Sequence, residues 1–570
     1  MTVPQLEGFK ERIEATLKDS SCPGMSMAIV KDGETVFANG FGYRDVERQL
    51  PAGADTQYPI GSCSKSFTAM SVALMVDEGK LGWDTPVRRY MTGFSMFDPV
   101  VSERLTPRDM LTHRSGLARH EFAWYASSFS REELIERLRY LEPNKDLREL
   151  FQYNNLLYMT AGYLAGNVVG MQWEDLVKKR IFEPLGMLQS NLSVEDLQRG
   201  SDYAVPYQEI KNEIKRIPFR DINTIGPAGS INSSVKEMAN WVKLHLSKGK
   251  FEGQQILSEA VFDEMHAPQI VAPATITEIA KDETTHWLYA MGWWTVSYRG
   301  HEMWLHEGGI DGFTATTYLL PRLGIGVVGL SNLSSNFHVV GMTLEAIDRM
   351  AGLTFIDWHG RIGSFMTRMK QAAEEGRMKS AAERVPDTPP THALSAYTGS
   401  YEHPAYGTFK VCNEGDVLVA TFFKQDFPLE HYHYDVFQFH LDTVDMDFKV
   451  QFHMDGKGDI NRLSIPFTPG VKDIVFERVA EEKLKEKSFL EQFAGEYELM
   501  GQTIMISLKG ESLLASIPGQ GDLELLPYRE MIFNVKGISA ISITFRSDEQ
   551  GNVVEALINQ AGTSFVAKRK

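Results

Sequence analysis

Ser62 and Lys65 stand three residues apart in PIGSCSKSFTA (59–69), at the head of a stretch, 65–79, with helical periodicity and a terminal Gly79. Residues i and i+3 of a helix share a face, so the lysine amine can sit beside the hydroxyl. A serine hydroxyl is a weak nucleophile and needs such a base before it can attack a carbonyl. The free N–H groups at a helix N-terminus also favour the negative charge that develops in the attack. The chemistry within reach of this pair is acyl transfer through a covalent acyl-enzyme. The spacing alone has little specificity, because Ser233 and Lys236 repeat it, and a capping serine with a surface lysine is its ordinary meaning.

Two further pieces give the pair a context. FQYNNLLYMTAG (151–162) carries Tyr153 and Asn155, and WLHEGGIDGFTA (304–315) carries His306 and Gly308 on a segment that reads as a strand. With these three motifs in order, the chain resembles the serine β-lactamase and penicillin-binding-protein family, whose S-x-x-K is followed by Y-x-N and by K-T-G or H-x-G. Flanking segments resemble its low-molecular-weight members: LTPRDMLTHRSGL (105–117), PAGSINSSVKEMANW (227–241), YAMGW (289–293) and GGIDGF (308–313). The likeness spans roughly residues 10–350. It implies that Ser62 attacks the carbonyl while Lys65 and Tyr153 manage the proton, either of them as formal base. A phenolate at Tyr153 would need adjacent positive charge, since tyrosine's ordinary pKa is near 10. It further implies that Asn155 bonds Lys65 and the substrate amide, and that His306 completes the catalytic set. The N–H groups of Ser62 and Gly309 would form the oxyanion hole, with Gly308 letting the strand approach closely.

The third motif departs from the family's lysine form, reading His306-Glu307-Gly308. A carboxylate at Glu307 would attract an ammonium group and repel a substrate carboxylate, which argues against a β-lactamase or a D-Ala-D-Ala carboxypeptidase. Strand alternation allows the opposite reading, with His306 and Gly308 on one face and Glu307 turned away from the cleft. Cys63 reads as a packing residue of the site wall. No G-x-S-x-G is present for an α/β-hydrolase. The histidines of HEMWLH (301–306) are five apart on a strand, where a zinc protease needs four on a helix. His431 and His433 in HYHYD read as solvent-facing or barrel residues. No metal and no cofactor are expected.

These residues need elements to hold them. Leu6, Phe9, Ile13 and Leu17 mark an amphipathic first helix, and residues 24–45 read as a hairpin about Lys31-Asp32-Gly33. Helices are expected at 155–169 and 234–248, then four antiparallel strands between 289 and 333, then a helix at about 338–351. Strands at both ends with helices between them predict a mixed sheet that joins N- and C-terminal strands. The expected fold class is α+β: a β-lactamase/transpeptidase-like domain over 1–360, then a helical and proline-rich linker over 361–390. Beyond it ALSAYTGSYE (393–402) recurs as FLEQFAGEYE (489–498). The repeat predicts two small lipocalin-like antiparallel β-barrels, 391–480 and 488–570.

At about 150 residues per domain, 570 residues predict more than one core. The net charge of −17 argues against nucleic acid and anionic membrane surfaces as partners. Three cysteines are too few for a disulfide framework, and no apolar run is long enough to span a membrane, so a cytoplasmic location is the expectation. The expected partner is a small-molecule or short-peptide substrate, with homo-oligomerisation left open. The domain plan resembles that of bacterial D-aminopeptidases, so the expected function is hydrolysis of amide bonds in small peptides or amino-acid amides. The alternative is a carboxylesterase or transesterase of the same family, and a non-catalytic binding protein is the remaining reading.

Overall fold

The computed structural model describes residues 3–273, 277–422, 424–442, 445–468, 470–510, 512–519, 521–560 and 563–570. The chain divides into two compact units, 1–384 with 468–472, and 385–467 with 473–570.

The first unit is built on a nine-stranded sheet in which the early hairpin, Gly24–Lys31 and Glu34–Asp45, lies beside the late strand Ile325–Ser331. The antiparallel register runs from Met25 opposite Ser331 to Lys31 opposite Ile325. Asp32 and Gly33 close the hairpin with φ of 52° and 83°, the left-handed pair that matches the twist of the flanking strands. Beyond it the strands Phe313–Leu320, His301–Ile310 and Trp294–Tyr298 follow in that order toward the far edge. One face packs on the helix Phe337–Met350, whose core takes in Phe9, Ile13 and Leu17 of the first helix. The other face carries the helix Val235–Leu246, and a Cβ on Gly326 would lie 2.2 Å from Val242. The helix expected at 65–79 runs Ser64–Asp77 and is buried on all sides from Ser64 to Met75. It is a central core helix, against which Asn155–Asn167 packs. Among the described residues no helix is long and apolar enough to cross a membrane.

The second unit is two closed eight-stranded antiparallel barrels, Gly399–His403 through Ile474–Val479 and Gly495–Leu499 through Thr563–Arg569. The sequence repeat has a structural meaning. Tyr401 donates to the Tyr397 carbonyl at 2.8 Å, and Tyr497 to the Phe493 carbonyl at 2.9 Å. Gly399 and Gly495, at φ of 138° and 155°, adopt backbone that favours glycine, and a Cβ there would lie 3.0 or 2.9 Å from the Nε of Arg478 or Arg569. Each arginine donates to three carbonyls: Arg478 to those of Ala396, Thr398 and Ile460, Arg569 to those of Gln492, Ala494 and Val553. Because the first and last strands of each barrel pair at this point, the arginine closes the barrel and satisfies backbone acceptors that the closing turn leaves unpaired.

Arg478→Met keeps the apolar stem and removes all three donors. It is expected to destabilise the barrel of residues 399–479 by about 2–3 kcal/mol, read as a lowered denaturant midpoint with m unchanged; a midpoint equal to wild type would remove the clamp from the account of closure.

Candidate active site

Ser62 sits in a 3-10 turn, Gly61–Cys63, that feeds directly into the core helix. Two glycines bring this turn flush against the strand His301–Ile310. Gly61 has φ of +50°, and a Cβ on it would lie 2.8 Å from the amide nitrogen of Gly309. A Cβ on Gly308 would lie 1.9 Å from the Ile60 carbonyl oxygen and 3.1 Å from the Ser62 nitrogen. Side chains at either position would push the backbones of Ser62 and Gly309 apart. Cys63 is buried behind the turn, with Sγ 3.4 Å from the His306 carbonyl oxygen, and burial pushes its thiol up to about 12.

Lys65 is fully buried, and its Nζ lies 3.1 Å from Ser62 Oγ, 2.7 Å from Asn155 Oδ1 and 2.8 Å from the Ala228 carbonyl oxygen. Desolvation holds its pKa well below the usual lysine value, with the Glu121 carboxylate acting in the opposite direction. A neutral amine has two N–H donors and one lone pair. Asn155 Oδ1 and the Ala228 carbonyl can only accept, so they take both hydrogens, and the lone pair is left for the Ser62 hydroxyl.

The Y-x-N motif flanks a helix cap. Asn154 accepts from the Leu157 N–H at 3.0 Å and so starts the helix Asn155–Asn167, while its Nδ2 donates to the Ala118 carbonyl at 2.7 Å. Tyr153 and Asn155, on either side of the cap, both reach Lys65. The Tyr153 ring centroid is 4.7 Å from Lys65 Nζ, and its hydroxyl hydrogen-bonds Ser62. Burial raises the Tyr153 pKa, so the residue is a neutral phenol.

His306 is buried with Nδ1 2.7 Å from the Glu307 carbonyl oxygen and Nε2 3.1 Å from the Tyr289 hydroxyl. The carbonyl fixes the proton on Nδ1 and leaves Nε2 to accept from Tyr289. Burial pushes its pKa down to about 3, so the imidazole is neutral.

Glu307 is not where a substrate-reading carboxylate would be. It lies opposite Thr316 in the strand register, and Thr316 Oγ1 bonds Thr343 of the helix Phe337–Met350, 2.7 Å away. The Glu307 carboxylate accepts from the Tyr318 hydroxyl on that same face. Gly308 and Thr317 face the turn of Ser62, and Thr317 Oγ1 is 3.8 Å from Cys63 Sγ. The side-chain period of two settles the orientation: Glu307 points away from Ser62, so the expectation that it selects substrate charge is corrected.

The structure adds residues that no motif singled out. Asn155 Nδ2 lies 3.1 and 3.0 Å from the two carboxylate oxygens of Glu121, which also accepts from Arg119 Nε at 3.2 Å. Arg119 lies over the Tyr153 ring at 5.0 Å. His113 packs on Tyr153 with ring centroids 4.3 Å apart, and its Nδ1 accepts from the Asn154 N–H at 3.0 Å. Glu121 and Arg119 lie just past the segment 105–117, outside any run with a recognisable spacing. Among the described residues no cluster of three or more His, Cys, Asp or Glu side chains is placed to hold a metal ion.

A family model described as Beta-lactamase matches residues 9–349, and one described as a domain of unknown function, DUF3471, matches 383–478. Unguisins hydrolase ungD' of Aspergillus campestris is 30% identical over 424 residues, covering 71% of this chain and 77% of its own length. The octameric penicillin-binding protein homologue of Pyrococcus abyssi shares the fold at a TM-score of 0.54, with 24% identity over 83% of this chain and 100% of that one. The D-amino acid amidase of Ochrobactrum anthropi, solved with D-phenylalanine, aligns at a TM-score of 0.50, with 21% identity over 60% of this chain and 98% of that one.

With Glu307 on the far face, Tyr318→Phe leaves a buried carboxylate without its donor and is expected to cost about 1–3 kcal/mol of stability. Glu307→Gln is expected to leave the ratio of kcat/KM between free-amine and N-acetylated substrates within about twofold, because a conservative change off the reacting face moves little. A tenfold change in that ratio would return Glu307 to the cleft.

Proposed function

Since this chain belongs to the Beta-lactamase family of serine hydrolases, we propose that it hydrolyses amide bonds of small peptides or amino-acid amides through an acyl-enzyme on Ser62, as an aminopeptidase with a preference for D-residues. The observation that carries this reading is the buried Lys65 amine, 3.1 Å from Ser62 Oγ and held there by two obligate acceptors.

In this mechanism Lys65 takes the Ser62 proton as Oγ bonds to the carbonyl carbon. The carbonyl oxygen gathers negative charge between the N–H groups of Ser62 and Gly309, whose backbones the two glycines hold together. The proton passes from the Lys65 ammonium by way of the Tyr153 hydroxyl to the leaving nitrogen, and the C–N bond breaks. Water then attacks the ester, gives its proton to Lys65, and frees the acid as Ser62 recovers its hydrogen. Lys65 is thus the formal base, and Tyr153, held neutral by burial, is the relay.

The third motif supports an amidase over a β-lactamase or D-Ala-D-Ala carboxypeptidase for a reason other than Glu307. His306 is neutral and pinned at both ring nitrogens, so this position offers no cation to a substrate carboxylate. The order of domains, with two barrels behind the catalytic unit, supports an aminopeptidase over the esterase alternative. A panel of D- and L-aminoacyl anilides, short-chain esters and a cephalosporin tests the reading. It predicts the highest kcat/KM on D-aminoacyl anilides, and esters ahead of every anilide would replace it with the esterase.

Ser62→Ala is expected to abolish fluorophosphonate labelling and lower kcat by several orders of magnitude, while Ser64→Ala costs far less. Lys65→Ala and Tyr153→Phe are each expected to be severe, and the double variant little worse, because the two serve one proton path. Activity requires neutral Lys65, so kcat/KM is lost as pH falls through the Lys65 pKa. Burial places that acid limb well below the ordinary lysine value of 10.5. An acid limb near 10 would show that the resting lysine is charged and that Tyr153 must serve as base.

A further inference from the structure

Glu121 stands on the 3-10 turn Glu121–Ala123, which His120 enters in left-handed backbone at φ 45°. The loop before it is tied down by Asn154, whose Nδ2 holds the Ala118 carbonyl. The carboxylate is therefore fixed to the same cap that positions Tyr153 and Asn155.

Its placement changes what the cleft offers a substrate. Asn155 is an amide with an acceptor and a donor end, and both ends have protein partners. Oδ1 accepts from Lys65 at 2.7 Å, and Nδ2 is straddled by the two oxygens of Glu121. Asn155 is buried, whereas the Glu121 side chain is 27% exposed. The group that meets the acyl portion of a substrate beside Lys65 is thus a carboxylate, which only accepts hydrogen bonds, rather than an amide donor. The carboxylate also accepts from Arg119 Nε at Oε1, from a side chain that is 53% exposed. A pair that open is screened by solvent and leaves Oε2 with acceptor capacity. The turn continues into Phe122 and Tyr125, half-buried rings 6.2 Å apart, which give an apolar surface next to the charge.

We propose that Glu121 is the substrate-specificity residue of the site, binding the free α-ammonium group of the amino acid that acylates Ser62. The proposal rests on the acyl-enzyme reading above and supplies its substrate class: aminoacyl amides with an uncapped amino terminus. An N-acylated residue would bring a carbonyl acceptor against the carboxylate and is rejected by repulsion and by desolvation of two acceptors.

Glu121→Gln keeps an acceptor for Asn155 Nδ2 and removes the charge. The ratio of kcat/KM for D-alanyl or D-phenylalanyl anilide over its N-acetylated form is expected to fall at least tenfold, chiefly through KM for the free amine. For wild type, KM for the free amine should also rise above about pH 8 as the α-amine loses its proton, with no such rise for the acetylated form. An equal fall on both substrates would leave Glu121 only as the positioner of Asn155, and no change on either would remove it from the site. Both results overturn the proposal. Fluorophosphonate labelling of Ser62 needs no amine and tests the acyl-enzyme reading separately. Failure to label wild type overturns that reading, whereas normal labelling with an unchanged substrate ratio overturns Glu121 alone.

Discussion

The charge state of one buried amine governs the catalytic unit. Lys65 is enclosed on the core helix, where an ammonium ion would lose most of its hydration. Burial favours the neutral amine, and the neutral amine has one lone pair whose direction depends on where its two hydrogens go. Asn155 and the Ala228 carbonyl take them. The helix Asn155–Asn167 and the Gly226–Gly229 turn are therefore required at fixed distances from the core helix. The Asn154 cap holds one of these and ties in the loop that bears Glu121.

The second constraint is steric. The turn of Ser62 meets a face of the strand His301–Ile310 with no side chain between them, because Gly61 and Gly308 face each other's backbone. The period of two on the strand then decides the rest of the motif. Gly308 faces the turn, while Glu307 falls on the helix-packed face and is satisfied by Tyr318. This strand offers backbone amide and little charge. Charge recognition has to come from the opposite wall, where Asn155, Glu121 and Arg119 lie.

The sequence carried the nucleophile, its lysine, the Y-x-N pair and the third motif, since each is a short pattern whose spacing follows from helix or strand geometry. The hairpin at Asp32-Gly33, the late strands and the two-barrel repeat were legible for the same reason. The orientation of Glu307 was open because alternation fixes two faces without saying which one meets Ser62; that depends on the packing of Thr316 against Thr343. The helix at 65–79 was legible as a helix, but its burial on all sides was not, since short-range spacing does not show what packs around it. Glu121 and Arg119 were invisible because they reach Asn155 and Tyr153 across more than thirty positions of chain. Arg478 and Arg569, at the far ends of their repeats, escaped notice in the same way, although each closes on the copy of the same three carbonyls.

Taken together, the two walls distribute polarity unevenly about Ser62. On the strand side a neutral histidine replaces the cation that would hold a substrate carboxylate, and Tyr289 and its own backbone consume both nitrogens. On the helix side a carboxylate replaces the free amide donor that would hold an acylated amine. Each change alone would merely weaken binding of one substrate group. On the proposed reading, the two together favour a substrate with a free amine near the scissile bond over one that is acylated there. The Glu121 carboxylate works against the neutral amine of Lys65, and burial outweighs it. Asn155 joins the two groups, its Oδ1 on Lys65 and its Nδ2 on Glu121.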